Sequence, residues 1–190
     1  KTFIRAMRQL TSQLPDAQGW IVGPDSEDPD YAQECRDLVA QLGLEKSVHF
    51  LGFQRTEEIL AQVRLVVLTS ISEAQPLVVL EAMAAGLPVV CSDVGACREL
   101  VIGDPARQQA AGHIVPIANP MATAQAMQLL LTQATAWQSA REAGIARVEA
   151  EYTEALMMAR YQQLYEEVIN PSSEPAGITV AHLFSALGMR

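Results

Sequence analysis

Two glutamates, Glu73 and Glu81, stand with seven residues between them in the stretch TSISEAQPLVVLEAMAAGLPVVCSDVGACREL, residues 69–100. A carboxylate accepts hydrogen bonds from paired hydroxyls, so Glu81 suits a ribose diol and Glu73 the hydroxyls of a bound sugar. Pro76, between them, suits the first position of a helix. The N–H groups of Leu77 to Val79 then lack intrahelical partners and present the positive end of the helix dipole. Such a terminus suits a diphosphate. The spacing alone is also met by two glutamates that only favour the helix dipole or face solvent.

The surrounding elements decide whether these groups converge. KTFIRAMRQL reads as a helix with Phe3, Ile4, Met7 and Leu10 on one face, and Trp20 to Gly23 as a short strand. Asp28 and Pro29 open a second helix whose stripe is Tyr31, Cys35, Leu38 and Leu42, ended by Gly43. Val48 to Leu51 is a strand, Thr56 to Gln62 a short helix, and Leu65 to Leu68 a fully buried strand. A loop to Gln75, a helix from Pro76 to Ala85, a strand from Pro88 to Cys91 and a helix from about Gly95 to Val101 follow. Helical patterns run from Asn119 to about Val148, with Gly144 a candidate break, and from Tyr152 to Val168. Residues after Asn170 read as a linker and tail. Short buried strands alternating with helices predict an α/β fold with a parallel sheet covered on both faces. Glu73 then falls at the carboxyl edge of the sheet, where open α/β folds bind ligands, and Glu81 one turn inside the next helix.

Ser70, Glu73, LEAMAAGLPVV and DVG with Glu99 resemble the Glu-x7-Glu signature of the glycosyltransferase 4 family. The resemblance implies a GT-B enzyme of two facing Rossmann-like domains. This chain would be the C-terminal, donor-binding half, doubly wound, with its first strand missing: residues 1–169 the nucleotide-sugar domain, residues 170–190 linker and tail. Glu73 would take the catalytic, sugar-contacting position. The backbone from Gln75 through Pro76 and Leu77 to Val78 would meet sugar and diphosphate, with the N–H groups of Gln75, Leu77 and Val78 as donors, and Glu81 would bind the ribose. Gly23, Gly52 and Phe53 end two earlier strands at the same edge and in relatives border the base. Ordinary turn glycines and a core phenylalanine fit those positions equally. Gly95 and Glu99 match a turn that shapes the crevice. Ala74 and Gln75 depart from the Gly and aromatic residue common in the family, which leaves the donor sugar open.

The resemblance further implies a retaining transfer without a metal or other cofactor, from UDP-glucose or a related UDP-hexose. WIVGP, LGF and MMARYQQLYEEV extend the similarity to members acting in bacterial exopolysaccharide synthesis. That implies an N-terminal acceptor domain as a partner and a membrane-associated synthase complex. The family's phosphate-binding Arg and Lys lie upstream of the first helix; Lys1, Arg5 and Arg8 do not match them.

Composition narrows the alternatives. A net charge of −9 and a pI near 4.8 disfavour nucleic acid and broad anionic-lipid binding. Cys35, Cys91 and Cys97 form no zinc or disulfide pattern, which predicts a reducing cytoplasm, and Cys91 with Cys97 reads as packing. His49 and His113 fall in or beside strands with no catalytic arrangement around them. No apolar run reaches the roughly 20 residues that span a bilayer. A non-catalytic docking module and a nucleotide-sugar epimerase are the competing functions.

Overall fold

The structure, a computed structural model, describes residues 1–106 and 109–169. It divides into two compact units, Lys1–Ile145 and Ala146–Arg190, which are taken separately. In the first, α1 (Thr2–Gln13) leads to β1 (Gly19–Val22), α2 (Pro29–Gln41), β2 (Val48–Gly52), α3 (Thr56–Leu60) and β3 (Val66–Leu68). Then come α4 (Leu77–Ala84), β4 (Val89–Ser92), α5 (Cys97–Ile102), β5 (Gly112–Val115), α6 (Pro120–Thr132) and α7 (Ala134–Glu151), the last reaching into the second unit. The second unit also holds α8 (Glu154–Ile169), whose Met157, Tyr161 and Tyr165 are exposed.

Local chemistry accounts for the elements. Asp28 caps α2 by accepting a hydrogen bond from the Tyr31 N–H at 3.0 Å, with Pro29 in its first turn. Asn119 caps α6 in the same way, again ahead of a proline. The α2 stripe is buried at Cys35 and Val39, whereas Tyr31 is exposed. Tyr31 instead accepts a hydrogen bond from the Lys1 amino terminus, and the Lys1 ammonium, ion-paired with Glu34, lies 4.8 Å from the centre of its ring.

The strands are all parallel and lie in two sheets, β1–β2 and β3–β4–β5. Among the described residues β3 is an edge strand, paired only with β4, whereas β4 lies between β3 and β5. This explains a departure from expectation: Val66 to Leu68 were predicted fully buried, yet they are half-buried, whereas β4, flanked on both sides, is buried throughout.

Alternation along β4 separates two cores. Val90 belongs to a cluster with Ile4, Met7 and Leu10 of α1, Val39 of α2 and Met127 and Leu130 of α6. Val89 and Cys91, pointing the other way, are as deeply buried as Val79, Met83 and Leu100 of α4 and α5. The first unit is thus layered helix–sheet–helix. Gly144 does not break α7; an added Cβ there would press on Met83 at 3.3 Å, so the glycine permits close helix packing. The break falls at Gln133, the C-cap of α6. From the sequence, Gly177 to Val180 read as a segment able to pair with the sheet edge left open by a missing first strand; these residues lie outside the described ones.

Candidate functional site

Glu73 lies in the loop between β3 and α4, half-buried, at the carboxyl end of its strand. The loop is held from the next connection. Gly95, at φ +49°, turns the chain after β4, and the N–H of Ala96 donates to the carbonyl of Ala74 at 2.8 Å. A Cβ on Gly95 would lie 2.5 Å from that oxygen and nearer still to the carbonyl oxygen of Glu73. Only glycine allows this approach. The Gly95 turn thus packs directly against the backbone of Glu73. Arg98 fastens the same turn by a two-pronged ion pair with Asp93.

Beneath this loop lie two thiols. Cys91 lies within β4, Cys97 opens α5, and both are fully buried. Their mutual hydrogen bond and burial push the Cys91 thiol up. The same bond draws Cys97 down, against the opposing effects of burial and of the Glu73 charge. Glu73 therefore sits within electrostatic reach of the start of α5. In the sequence the cysteines read as packing, and the one signal of this adjacency is a thiol at the N-terminus of α5 beside the Gly95 turn.

The helix after the loop starts one residue later than expected. Pro76 is buried and extended (φ −74°, ψ 115°), the cap of α4 rather than its first turn. Its carbonyl accepts the Val79 N–H at 3.2 Å. Val79 is accordingly removed from the open amides, and Leu77 and Val78, both exposed, begin the helix; Leu77 is 68% exposed. Gln75 is exposed as well.

One turn on, Glu81 is exposed and lines a cavity of about 490 Å³ between α3 and α4. Thr56, Glu57 and Leu60 form its facing wall. No local pattern in the sequence marks these three residues, although α3 begins three residues after Phe53. Across the other sheet, the Gly23 N–H donates to the Gly52 carbonyl at 2.9 Å, so the ends of β1 and β2 are joined at one rim. Phe53 is 79% exposed on that rim, which rules out the core alternative. His49 and His113 stand on β2 and β5; His49 shares a 2.7 Å hydrogen bond with Gln18, and burial lowers His113. Glu99 lies in the first turn of α5, where a carboxylate favours the helix dipole.

Comparison with known proteins places this arrangement in a class. Residues 1–133 match the family described as "Glycosyl transferases group 1", and the chain belongs to that family. Among its relatives, it is 30% identical over 175 residues to an exopolysaccharide phosphotransferase of Streptomyces coelicolor, covering 90% of this chain and 18% of that one. The C-terminal domain of a group 1 glycosyl transferase from Francisella tularensis superposes with a TM-score of 0.70 at 26% identity, over 80% of this chain and 78% of that domain. Anabaena HepE, solved in complex with UDP-glucose, shares the fold at a TM-score of 0.75 and 24% identity, over 88% of this chain and 44% of that one. The chain thus spans well under two thirds of the length of the Streptomyces and Anabaena proteins. Its α/β architecture of parallel strands and helices is that of the C-terminal Rossmann-like domain of GT-B glycosyltransferases. Among the described residues, no helix is long and apolar enough to cross a membrane.

Proposed function

We propose that this chain binds the nucleotide-sugar donor, a UDP-hexose such as UDP-glucose, of a retaining glycosyltransferase. The observation that carries the reading is the sequence of groups along one strand–loop–helix unit. The Glu73 loop is pinned by the Gly95 turn, exposed Leu77 and Val78 follow, and exposed Glu81 lines an open cavity one turn on. Glu73 meets the sugar, the amides with the α4 dipole meet the diphosphate, and Glu81 meets the ribose diol. Phe53, Gly23 and Gly52 border the base. HepE, with UDP-glucose bound on the same fold, supports the choice of ligand.

Transfer builds positive charge on the sugar and negative charge on the leaving diphosphate, which requires placed cations and an enclosed site. In the family this chain resembles, an Arg and a Lys bind the diphosphate and an acceptor domain closes the cleft, and we propose the same division of roles for the intact enzyme. The acceptor hydroxyl attacks from the face the nucleotide leaves, protein groups rather than a metal stabilise the diphosphate, and this chain alone binds donor without turning it over.

Exopolysaccharide assembly is the setting we favour, in the cytoplasm beside a membrane-associated synthase. Its support is the Streptomyces relative and the similarity of SEAQPLVVLEAMAAG and DVGACREL to the cytoplasmic glycosyltransferase of bacterial Pel exopolysaccharide synthesis. Calorimetric titration of the 190-residue chain with UDP, GDP and ADP, free and as sugar conjugates, tests the donor assignment. UDP is expected to bind, and Glu81→Ala to weaken it by about 1.5–3 kcal/mol through loss of charge-assisted hydrogen bonds. Equal indifference to all three nucleotides points instead to a docking module.

A further inference from the structure

A second cavity, of about 350 Å³, opens in the other helical layer, among α1, α2 and α6. It shares no lining residue with the Glu81 cavity. Arg5 and Arg8 line it from α1, one turn apart and hence on one side of the helix, together with Gln9. Asn119 and Met121, at the start of α6, form another wall with Leu42 of α2.

What distinguishes this place is its charge. The chain carries a net −9, and four of its other cations are matched by carboxylates: Lys1 with Glu34, Arg36 with Asp25, Arg55 with Glu57 and Glu58, Arg98 with Asp93. Neither Arg5 nor Arg8 takes part in an ion pair among the described residues, and no carboxylate lines the cavity. Two adjacent guanidiniums facing one concave space, in a protein this acidic, offer a fork of donors to a tetrahedral oxyanion. The volume is at the lower end of the range for small-molecule sites, about 300–1,000 Å³. Leu42 and Met121 add apolar surface for a short carbon skeleton.

We propose that this cavity is a binding site for a phosphate monoester, separate from the donor site and independent of the function proposed above. The phosphate is held by Arg5 and Arg8, and Gln9 and Asn119 supply neutral hydrogen bonds. A soluble phosphorylated metabolite and the headgroup of a phosphatidic-acid-type lipid share this chemistry.

The test uses the whole 190-residue chain. Glycerol 3-phosphate and inorganic phosphate are titrated by calorimetry, and co-flotation is measured with phosphatidylcholine vesicles with and without phosphatidic acid. Binding in either arm is expected to weaken at least tenfold in the Arg5→Gln/Arg8→Gln double variant and less in the double Lys variant, which keeps the charges but not the fork. Arg36→Gln, which removes a cation elsewhere, is expected to leave it unchanged. Affinity for glycerol 3-phosphate without flotation assigns the soluble source, and the reverse assigns the lipid. No binding in either arm, or binding that UDP displaces and the double Gln variant leaves intact, overturns the proposal.

Discussion

The two sheets hold their share of the site in opposite ways. In the β3–β4–β5 sheet, the loop bearing Glu73 is tied down: Ala96 donates to Ala74, Gly95 touches the Glu73 backbone, and buried Cys91 and Cys97 lie beneath. In the β1–β2 sheet, the strand ends meet through one hydrogen bond, Gly23 to Gly52, and Phe53 projects into solvent. Backbone that is fixed before a ligand arrives loses little entropy on binding, whereas a free aromatic side chain must be ordered at that moment. The first sheet should therefore set where the sugar and diphosphate sit, and the second should add contact area to a ligand already placed.

The contrast breaks most visibly at Gly95. In Gly95→Ala the new methyl group would overlap two carbonyl oxygens of the Glu73 loop, and the backbone would stay at positive φ. Overpacking and strain of this kind cost on the order of 3 kcal/mol together. Urea unfolding is expected to show that loss of stability, and calorimetry a loss of UDP-glucose binding beyond what partial unfolding explains. A variant with unchanged stability and affinity would mean that this turn does not hold the loop.

Glu73→Gln sharpens the same side without disturbing its backbone. The amide keeps the size of the carboxylate but gives up its charge-assisted hydrogen bonds to sugar hydroxyls. Affinity for UDP-glucose should fall about tenfold, near 1.4 kcal/mol, while affinity for UDP stays the same. An equal fall for both ligands would move Glu73 from the sugar to the diphosphate.

The sequence revealed the two regions unequally, for physical reasons. The alternation of short strands and capped helices was readable because each signal is local: Asp28 with Pro29, Asn119 with Pro120, the apolar face of Ile4, Met7 and Leu10. Glu73 and Glu81 could be placed because a strand–loop–helix unit brings its own loop to the sheet edge. Contacts between units were not readable. Neither the hydrogen bond from Ala96 onto the Ala74 carbonyl nor the α3 wall facing Glu81 leaves a local pattern, since each joins segments separated by a strand or more. The start of α4 shifted by one residue because proline suits both cap and first turn, and packing of Pro76 decided for the cap. The burial of β3 was overestimated because composition reports how apolar a strand is, not how many neighbours it has.

The smallest expected effect tests the open side. Phe53 is 79% exposed, so Phe53→Ala removes few packing contacts and should change stability by less than about 0.5 kcal/mol. If its ring closes on the base of a bound nucleotide, losing the stacking should weaken UDP by about 1 kcal/mol, roughly a fivefold rise in Kd. Because the ring meets only the base, UDP and UDP-glucose should weaken by the same factor, opposite to the selective effect of Glu73→Gln. A variant that loses stability but not affinity would make Phe53 a covered residue of the intact protein, and the rim of β1 and β2 would then serve packing rather than the ligand.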